Sequence, residues 1–231
     1  MAELVVAFDL PSGREALALA GRLPGLTWAK LGSVLYAREG GGPALVREFG
    51  ARGVRVFLDL KWHDIPSTVA AAVTGARELG VALATVHCLG GRAMLEAAAG
   101  AAGGELALVG VTVLTSHSAA DLEGVLGRGV PDLGFEAERL ARMAIQAGLR
   151  GIVASGHELA LLREALGPDP WIVVPGIRLA GDAQGDQARA VTPEDAVRRG
   201  ATHLVVGRPI TAARDPVAAY RRLAEAVGSR V

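Results

Sequence analysis

Short apolar runs alternate with longer helical patterns along this chain, and that alternation restricts the fold more than any other feature. The runs Glu3 to Asp9, Leu26 to Gly32, Val54 to Leu60, Val81 to Cys88, Leu106 to Leu114, Gly151 to Ser155, Trp171 to Pro175 and His203 to Val206 are largely apolar. Such runs read as strands buried on both faces. Helix signals fill the gaps. Ser12 with Glu15 makes a capping box for a helix through about Leu23, and a glycine-rich connection at Gly40 to Gly42 precedes a helix from about Pro43 to Arg52. Pro66 suits the first turn of a helix through about Leu79, and Gly90-Gly91 leads into one ending near Ala102. Ser118 with Asp121 caps the first of two helical pieces reaching about Gly148, and further helices open near His157, Pro193 and Asp215. Parallel neighbours are joined by crossover helices, so eight such βα units predict an α/β fold, a closed (β/α)8 TIM barrel. A doubly wound open sheet is the alternative, but its glycine fingerprint is missing after the first strand, where the chain reads Asp9-Leu10-Pro11-Ser12-Gly13.

A chain of 231 residues suits one barrel domain over 1–231, and no linker, repeat or long low-complexity segment argues for a second. With 24 acidic and 24 basic residues the formal net charge is zero. That balance offers no global attraction to nucleic acid or an anionic membrane, and points to a small-molecule ligand. Cys88 is the single cysteine, so it forms no internal disulfide, and no CxxC or Cys/His ligand spacing occurs; this fits a reducing compartment, with Cys88 as packing. Met1 to Asp9 lacks a basic region followed by a long apolar one, and there is no apolar run long enough to span a bilayer. A soluble cytoplasmic protein is the expectation.

Residues 59 to 64, Asp-Leu-Lys-Trp-His-Asp, close the third strand with two carboxylates and an ammonium. Lys30 and Lys61 are the two lysines in an arginine-rich chain. An ammonium has a movable pKa and a proton to donate, whereas a guanidinium stays protonated. Barrel sites are built at the C-terminal ends of the strands. Asp9, Lys30, Asp59, Lys61, His87, Thr115, Ser155 and Arg208 all fall at or just beyond those ends. His87 has an ordinary reading as a satisfied core imidazole, and Ser155 as the start of a helix. Unpaired charges are expensive to bury, so the acids and lysines should pair with one another. Pro175-Gly176-Ile177-Arg178 after strand seven and Gly207-Arg208-Pro209 after strand eight have the position and the donors of a monophosphate grip. The chain has no GxxxxGK[ST] loop, which disfavours nucleoside triphosphate hydrolysis.

These stretches together resemble the orotidine 5'-phosphate decarboxylase family, which makes UMP in pyrimidine synthesis. The resemblance spans nearly the whole chain and is most specific in Asp59-Leu60-Lys61-Trp62-His63-Asp64-Ile65-Pro66-Ser67-Thr68-Val69. Other matching pieces are Ala7-Phe8-Asp9, Lys30-Leu31-Gly32, Val86-His87, Val111 to Ser116, Pro175 to Arg178, Gly185-Asp186-Gln187 with Arg189, and Val206 to Thr211. The resemblance implies an Asp-Lys-Asp array: Asp59 and Lys61 at the pyrimidine C6 with Lys30 beside them, and Asp64 reaching the neighbouring subunit's site. It implies that Asp9 and Lys30 bond ribose hydroxyls, that Ile65 lies in the substrate site, and that Thr68 enters from the neighbour. Thr115 would meet the polar edge of the base, with Pro175 and Arg178 on the loop that closes over the substrate. Gln187 would bridge towards a phosphate gripped by Arg208 and the Gly207 backbone. A homodimer with shared sites, no metal and no cofactor are implied as well.

The chemistry accounts for such a residue set. Loss of CO2 from C6 leaves a carbanion in the ring plane, which the ring carbonyls stabilise poorly, so a cation at that carbon is the direct remedy. Lys61 would supply it and then donate the proton. Asp59 would either destabilise the substrate carboxylate or position Lys61. One alternative is a sugar-phosphate decarboxylase or synthase of the same barrel superfamily, which shares the DxKxxD spacing but holds magnesium with an acid at the end of strand two, where this chain has Lys30. Another is a non-catalytic phosphate-binding barrel.

Overall fold

The structure is a computed structural model that describes residues 2–38, 40–179 and 191–228. Eight parallel strands form a closed barrel: β1 Glu3–Ala7, β2 Trp28–Gly32, β3 Arg55–Trp62, β4 Leu83–His87, β5 Ala107–Val111, β6 Gly151–Val153, β7 Trp171–Val174 and β8 His203–Val206. Each pairs with the next, and β8 closes on β1 through Glu3↔His203 to Val6↔Val206. The helices between strands include α1 Gly13–Ala20, α2 Ser33–Tyr36, α3 Gly42–Ala51, α4 Pro66–Glu78, α5 Gly91–Ala102, α6 Ala119–Leu126 and α7 Leu133–Gln146. Then come α8 Leu159–Leu166, α9 Pro193–Arg198, α10 Arg208–Thr211 and α11 Pro216–Val227. No described helix is long and apolar enough to cross a membrane.

Local chemistry explains where helices begin. Ser118 accepts from the Asp121 N–H while the Asp121 carboxylate accepts from the Ser118 backbone, a complete capping box at the start of α6. At α1 the Ser12 hydroxyl accepts from the Glu15 N–H and donates to the Glu15 carboxylate. Pro66 occupies the first turn of α4, where its missing N–H costs no helix bond. Helix α7 buries Ala137, Leu140, Ala141 and Ala144, a helical stripe facing inward.

Two apolar regions result. The larger lies between the strands' outer faces and the helices; the smaller fills the barrel with Val5, Ala7, Trp28, Phe57, Leu83, Val109, Val173 and Val205. Side chains alternate along a strand, so inward positions recur at every second residue. Burying one of the larger ones, such as Phe57, stabilises the fold by roughly 2 to 3 kcal/mol. At the N-terminal end of the barrel, the His203 ring packs between Trp28 and Trp171, with centroids 5.5 and 4.6 Å away. Arg55 and Arg150 cover the outer sides of those indoles.

Several boundaries differ from the sequence reading. The sequence reading ends strand three at Leu60, with Asp59 inside it; β3 runs on to Trp62, so Lys61 is a strand residue as well. The strand is irregular there: Leu58↔Ala84 and Trp62↔Val86 pair, leaving Asp59, Leu60 and Lys61 opposite Thr85 alone. Lys61 has φ 52, the left-handed backbone that a bulge calls for. Strands five and six end earlier than in the sequence reading, at Val111 and Val153, so Thr115 lies further past its strand and Ser155 falls in a loop. The glycine-rich connection after β2 contains the extra helical turn α2.

Burial pushes the His203 imidazole down from 6.5 to about 4, against the pull of Glu3 and with help from Arg55 and Arg150. The folded state then binds the proton less readily than the unfolded chain. The neutral form's stabilisation is fully present above pH 6.5 and is lost as pH falls towards 4. Urea unfolding should show stability dropping across that window, with His203 accounting for about 3 kcal/mol. His203→Phe should show a shallower slope; an unchanged slope would place the acid sensitivity elsewhere, the half-buried His87 being the other histidine with a lowered pKa.

Candidate active site

The inward parity that fills the barrel with apolar groups turns polar at the C-terminal end. It passes from Val5 and Ala7 on β1 to Asp9 just past that strand's end, along β2 from Trp28 to Lys30, and along β3 from Phe57 to Asp59. Asp59 is the hub of the resulting cluster. The Lys61 ammonium lies 2.8 Å from its Oδ1 and the Lys30 ammonium 3.3 Å from its Oδ2. Lys30 reaches Asp9 at 3.5 Å, and the Thr85 hydroxyl donates to Asp59 Oδ1 at 3.1 Å.

Asp59 is only 13% exposed. Burial alone would raise its pKa, but the charges of Lys30 and Lys61 and the hydrogen bonds from Lys61 and Thr85 outweigh burial and hold it below the usual carboxylate range. The carboxylate is therefore ionised at neutral pH. Gly32 makes room for this: a Cβ there would stand 3.0 Å from Asp9 Oδ1 and 3.1 Å from Lys30 Nζ.

The cluster lines a cavity of ≈ 520 Å³ at the mouth of the barrel. Phe57, Val153, Val173 and Val205 give it an apolar floor. On the opposite wall are Pro175, Gly176 and Arg178 after β7, and Gly207 and Arg208 where α10 begins after β8. Arg178 is tied down at both ends, its N–H donating to the Val191 carbonyl and its guanidinium to the Ile177 carbonyl. Two carboxylates, Asp9 and Asp59, face four cations, Lys30, Lys61, Arg178 and Arg208, so the cavity suits an anionic ligand. Its size and mixed walls suit a molecule with an apolar ring and several polar groups.

Nine residues singled out in the sequence thus meet in one cavity: Asp9, Lys30, Asp59, Lys61, Thr115, Pro175, Arg178, Gly207 and Arg208. Four do not. Asp64 and Thr68 line an adjacent depression of ≈ 310 Å³ together with Lys61, Trp62 and His63. Ile65 points outward at 63% exposure. Gln187 lies outside the described residues, as do Gly185, Asp186 and Arg189.

His87 and Ser155 stand near strand ends without lining the cavity, and their ordinary readings prevail. His87 stacks on His63 with centroids 5.5 Å apart, and its Nδ1 accepts from the Leu89 N–H. Burial, with His63, Lys61 and His117 nearby, pushes its pKa down to about 4. The Ser155 hydroxyl accepts from the His157 N–H in the turn before α8. Sequence reasoning missed Thr85, a buried hydroxyl bonded to the charged cluster. Its signal was present: a polar residue between Leu83 and His87 on the inward parity of β4.

Comparison with known proteins agrees with this geometry. The family described as "Orotidine 5'-phosphate decarboxylase / HUMPS family" matches residues 2–223. An orotidine 5'-phosphate decarboxylase of Halorhodospira halophila is 51% identical over 98% of this chain and 96% of its own. One from Anaeromyxobacter sp. is 48% identical, covering 96% of each. The crystal structure of orotidine 5'-phosphate decarboxylase from Lactobacillus acidophilus superposes with a TM-score of 0.87 at 32% identity, covering 99% of this chain and 100% of that one. With a charged array at the mouth of a (β/α)8 barrel and a sequence match over nearly all its length, the chain belongs to the orotidine 5'-phosphate decarboxylase / HUMPS family.

Proposed function

We propose that this protein is an enzyme of pyrimidine biosynthesis that decarboxylates orotidine 5'-phosphate to UMP and CO2. The observation that carries the reading is the ionised Asp59 held between the Lys30 and Lys61 ammoniums, in a cavity whose far wall carries Arg178 and Arg208. The phosphate binds between Arg208, the Gly207 backbone and Arg178, with Gln187 bridging to it. Asp9 and Lys30 bond the ribose, while Thr115 and Pro175 meet the base. The whole of 1–231 acts as one barrel domain.

With the phosphate anchored at one wall, the pyrimidine reaches the Asp59–Lys61 side of the cavity. The substrate carboxylate then lies beside an ionised Asp59, and this repulsion is relieved as CO2 departs. The Lys61 ammonium stabilises the electron pair left on C6, then delivers its proton there. Asp59, 2.8 Å away, holds that ammonium in place. Phosphate binding far from the broken bond helps by driving loop closure and excluding water.

No metal or other cofactor takes part in this scheme. The magnesium-dependent sugar-phosphate reaction is disfavoured because the strand-two position carries Lys30, whose ammonium already lies 3.3 Å from Asp59 and would repel a divalent cation. The protein is read as a cytoplasmic homodimer. Its single cysteine, the buried free Cys88, suits a reducing compartment. Asp64 and Thr68 serve the partner's site, a reading supported by their position outside the main cavity, beside the exposed apolar Ile65.

The deciding experiment follows UMP and CO2 release from orotidine 5'-phosphate with and without EDTA. Turnover unaffected by the chelator is expected; activity lost with EDTA and restored by magnesium would favour the sugar-phosphate reading. Lys61→Arg should be nearly inactive despite its charge, because the larger fork is misplaced and does not give up its proton. A variant keeping most of its kcat would rule out proton donation by Lys61.

Sharing of sites is tested by mixing Asp59→Ala and Asp64→Ala proteins, each inactive alone, under conditions of subunit exchange. In a mixed dimer one site inherits both lesions and the other neither, so random exchange should restore about a quarter of wild-type sites. No recovery from demonstrably mixed dimers would mean that Asp64 serves its own chain.

A further inference from the structure

Opposite the irregular stretch of β3, strand β4 offers a single residue, Thr85, and its side chain does what the strand ladder does not. The Thr85 backbone pairs with β5 at Val109. Its hydroxyl accepts from the Lys61 backbone N–H at 2.8 Å and donates to Asp59 Oδ1 at 3.1 Å. Thr85 is 0% exposed, so water is not at hand to replace either bond. Lys61 is the non-glycine residue with positive φ among those described, and the Thr85 oxygen is the acceptor for its backbone N–H. A left-handed backbone on a residue bearing a Cβ persists where its surroundings over-determine it. Asp59 and Lys61 thus depend on one hydroxyl for both a carboxylate orientation and a backbone conformation.

We propose that Thr85 is a positioning residue for the decarboxylation: by joining the Lys61 backbone to the Asp59 carboxylate across the β3 bulge, its hydroxyl aims the Lys61 ammonium at the reacting carbon. This rests on the reading of orotidine 5'-phosphate as substrate. Thr85 does not line the cavity, so it acts through its two neighbours and not on the substrate. The phosphate grip lies on β7 and β8, on the far side of the barrel from β4. Losing the hydroxyl should therefore spoil the aim of Lys61 while leaving substrate binding largely in place.

Three variants separate positioning from simple packing. Thr85→Val keeps the shape without the hydroxyl, Thr85→Ala lacks both hydroxyl and bulk, and Thr85→Ser restores the hydroxyl. In Val and Ala kcat should fall by about a hundredfold, the scale of a catalytic group misplaced by about 1 Å, with KM for orotidine 5'-phosphate within about threefold. Ser should recover kcat to within about tenfold of wild type. A Val variant with wild-type kcat, a Ser variant as slow as Ala, or a loss carried by KM would each overturn the proposal. If the Val protein does not fold, the Ala and Ser pair decides: equal kcat values count against a role for the hydroxyl. Thermal melts of each variant, read beside kcat, identify any loss that merely tracks unfolding, and such a loss also counts against it. A wild-type protein inactive on orotidine 5'-phosphate would instead sink the substrate reading, so the two failures are distinct.

Discussion

A carboxylate held almost out of water between two ammonium groups is the constraint on which the upper half of this barrel depends. At the depth of Asp59 an isolated ionised carboxylate would take up a proton to escape its desolvation. Lys61 at 2.8 Å and Lys30 at 3.3 Å reverse that outcome, and the carboxyl stays below its ordinary pKa despite burial. Attraction overcomes desolvation at such sites only when contacts are close and remaining lone pairs are satisfied. Several features serve that closeness. The β2–β3 register sets Gly32 beside Asp59, the missing side chain at Gly32 leaves space for Lys30 and Asp9, and the two-residue spacing of Asp59 and Lys61 goes with their lining one cavity.

The two ends of the barrel divide the work. The N-terminal end is closed by a stack of Trp28, His203 and Trp171 under Arg55 and Arg150, which has a role in stability. Further along the barrel, beyond an apolar layer that includes Phe57, Val173 and Val205, Asp9, Lys30, Asp59 and Lys61 carry the charges. Loops after β7 and β8 complete the opposite wall with Arg178 and Arg208. A rigid, densely packed lower layer thus supports an upper layer whose polar groups can be arranged for chemistry.

Much of this was legible in the chain. Continuous apolar runs marked the strands because both faces of a parallel barrel strand are buried, and the Ser118–Asp121 cap worked as its sequence suggested. The scarcity of lysine pointed to Lys30 and Lys61, which do share one carboxylate. His87 and Ser155 were candidates on position alone; nearness to a strand end does not determine which way a side chain turns or what satisfies it. His87 accepts from the Leu89 N–H, and Ser155 from the His157 N–H. Thr85 was missed because it lies inside an apolar run, and its importance comes from a residue on another strand.

Residue types and their periodicity determined the strands, the helix starts and the set of charges at the barrel mouth, since these depend on side-chain burial and on bonds between near neighbours in the chain. Tertiary structure decided what depends on pairing across strands. The register of β3 against β4 placed three residues opposite one, set Lys61 in a left-handed backbone and brought the Thr85 hydroxyl to Asp59. No local pattern in β3 or β4 announces that bulge, because a strand's register is a property of two segments and of the hydrogen bonds that only their assembly can satisfy.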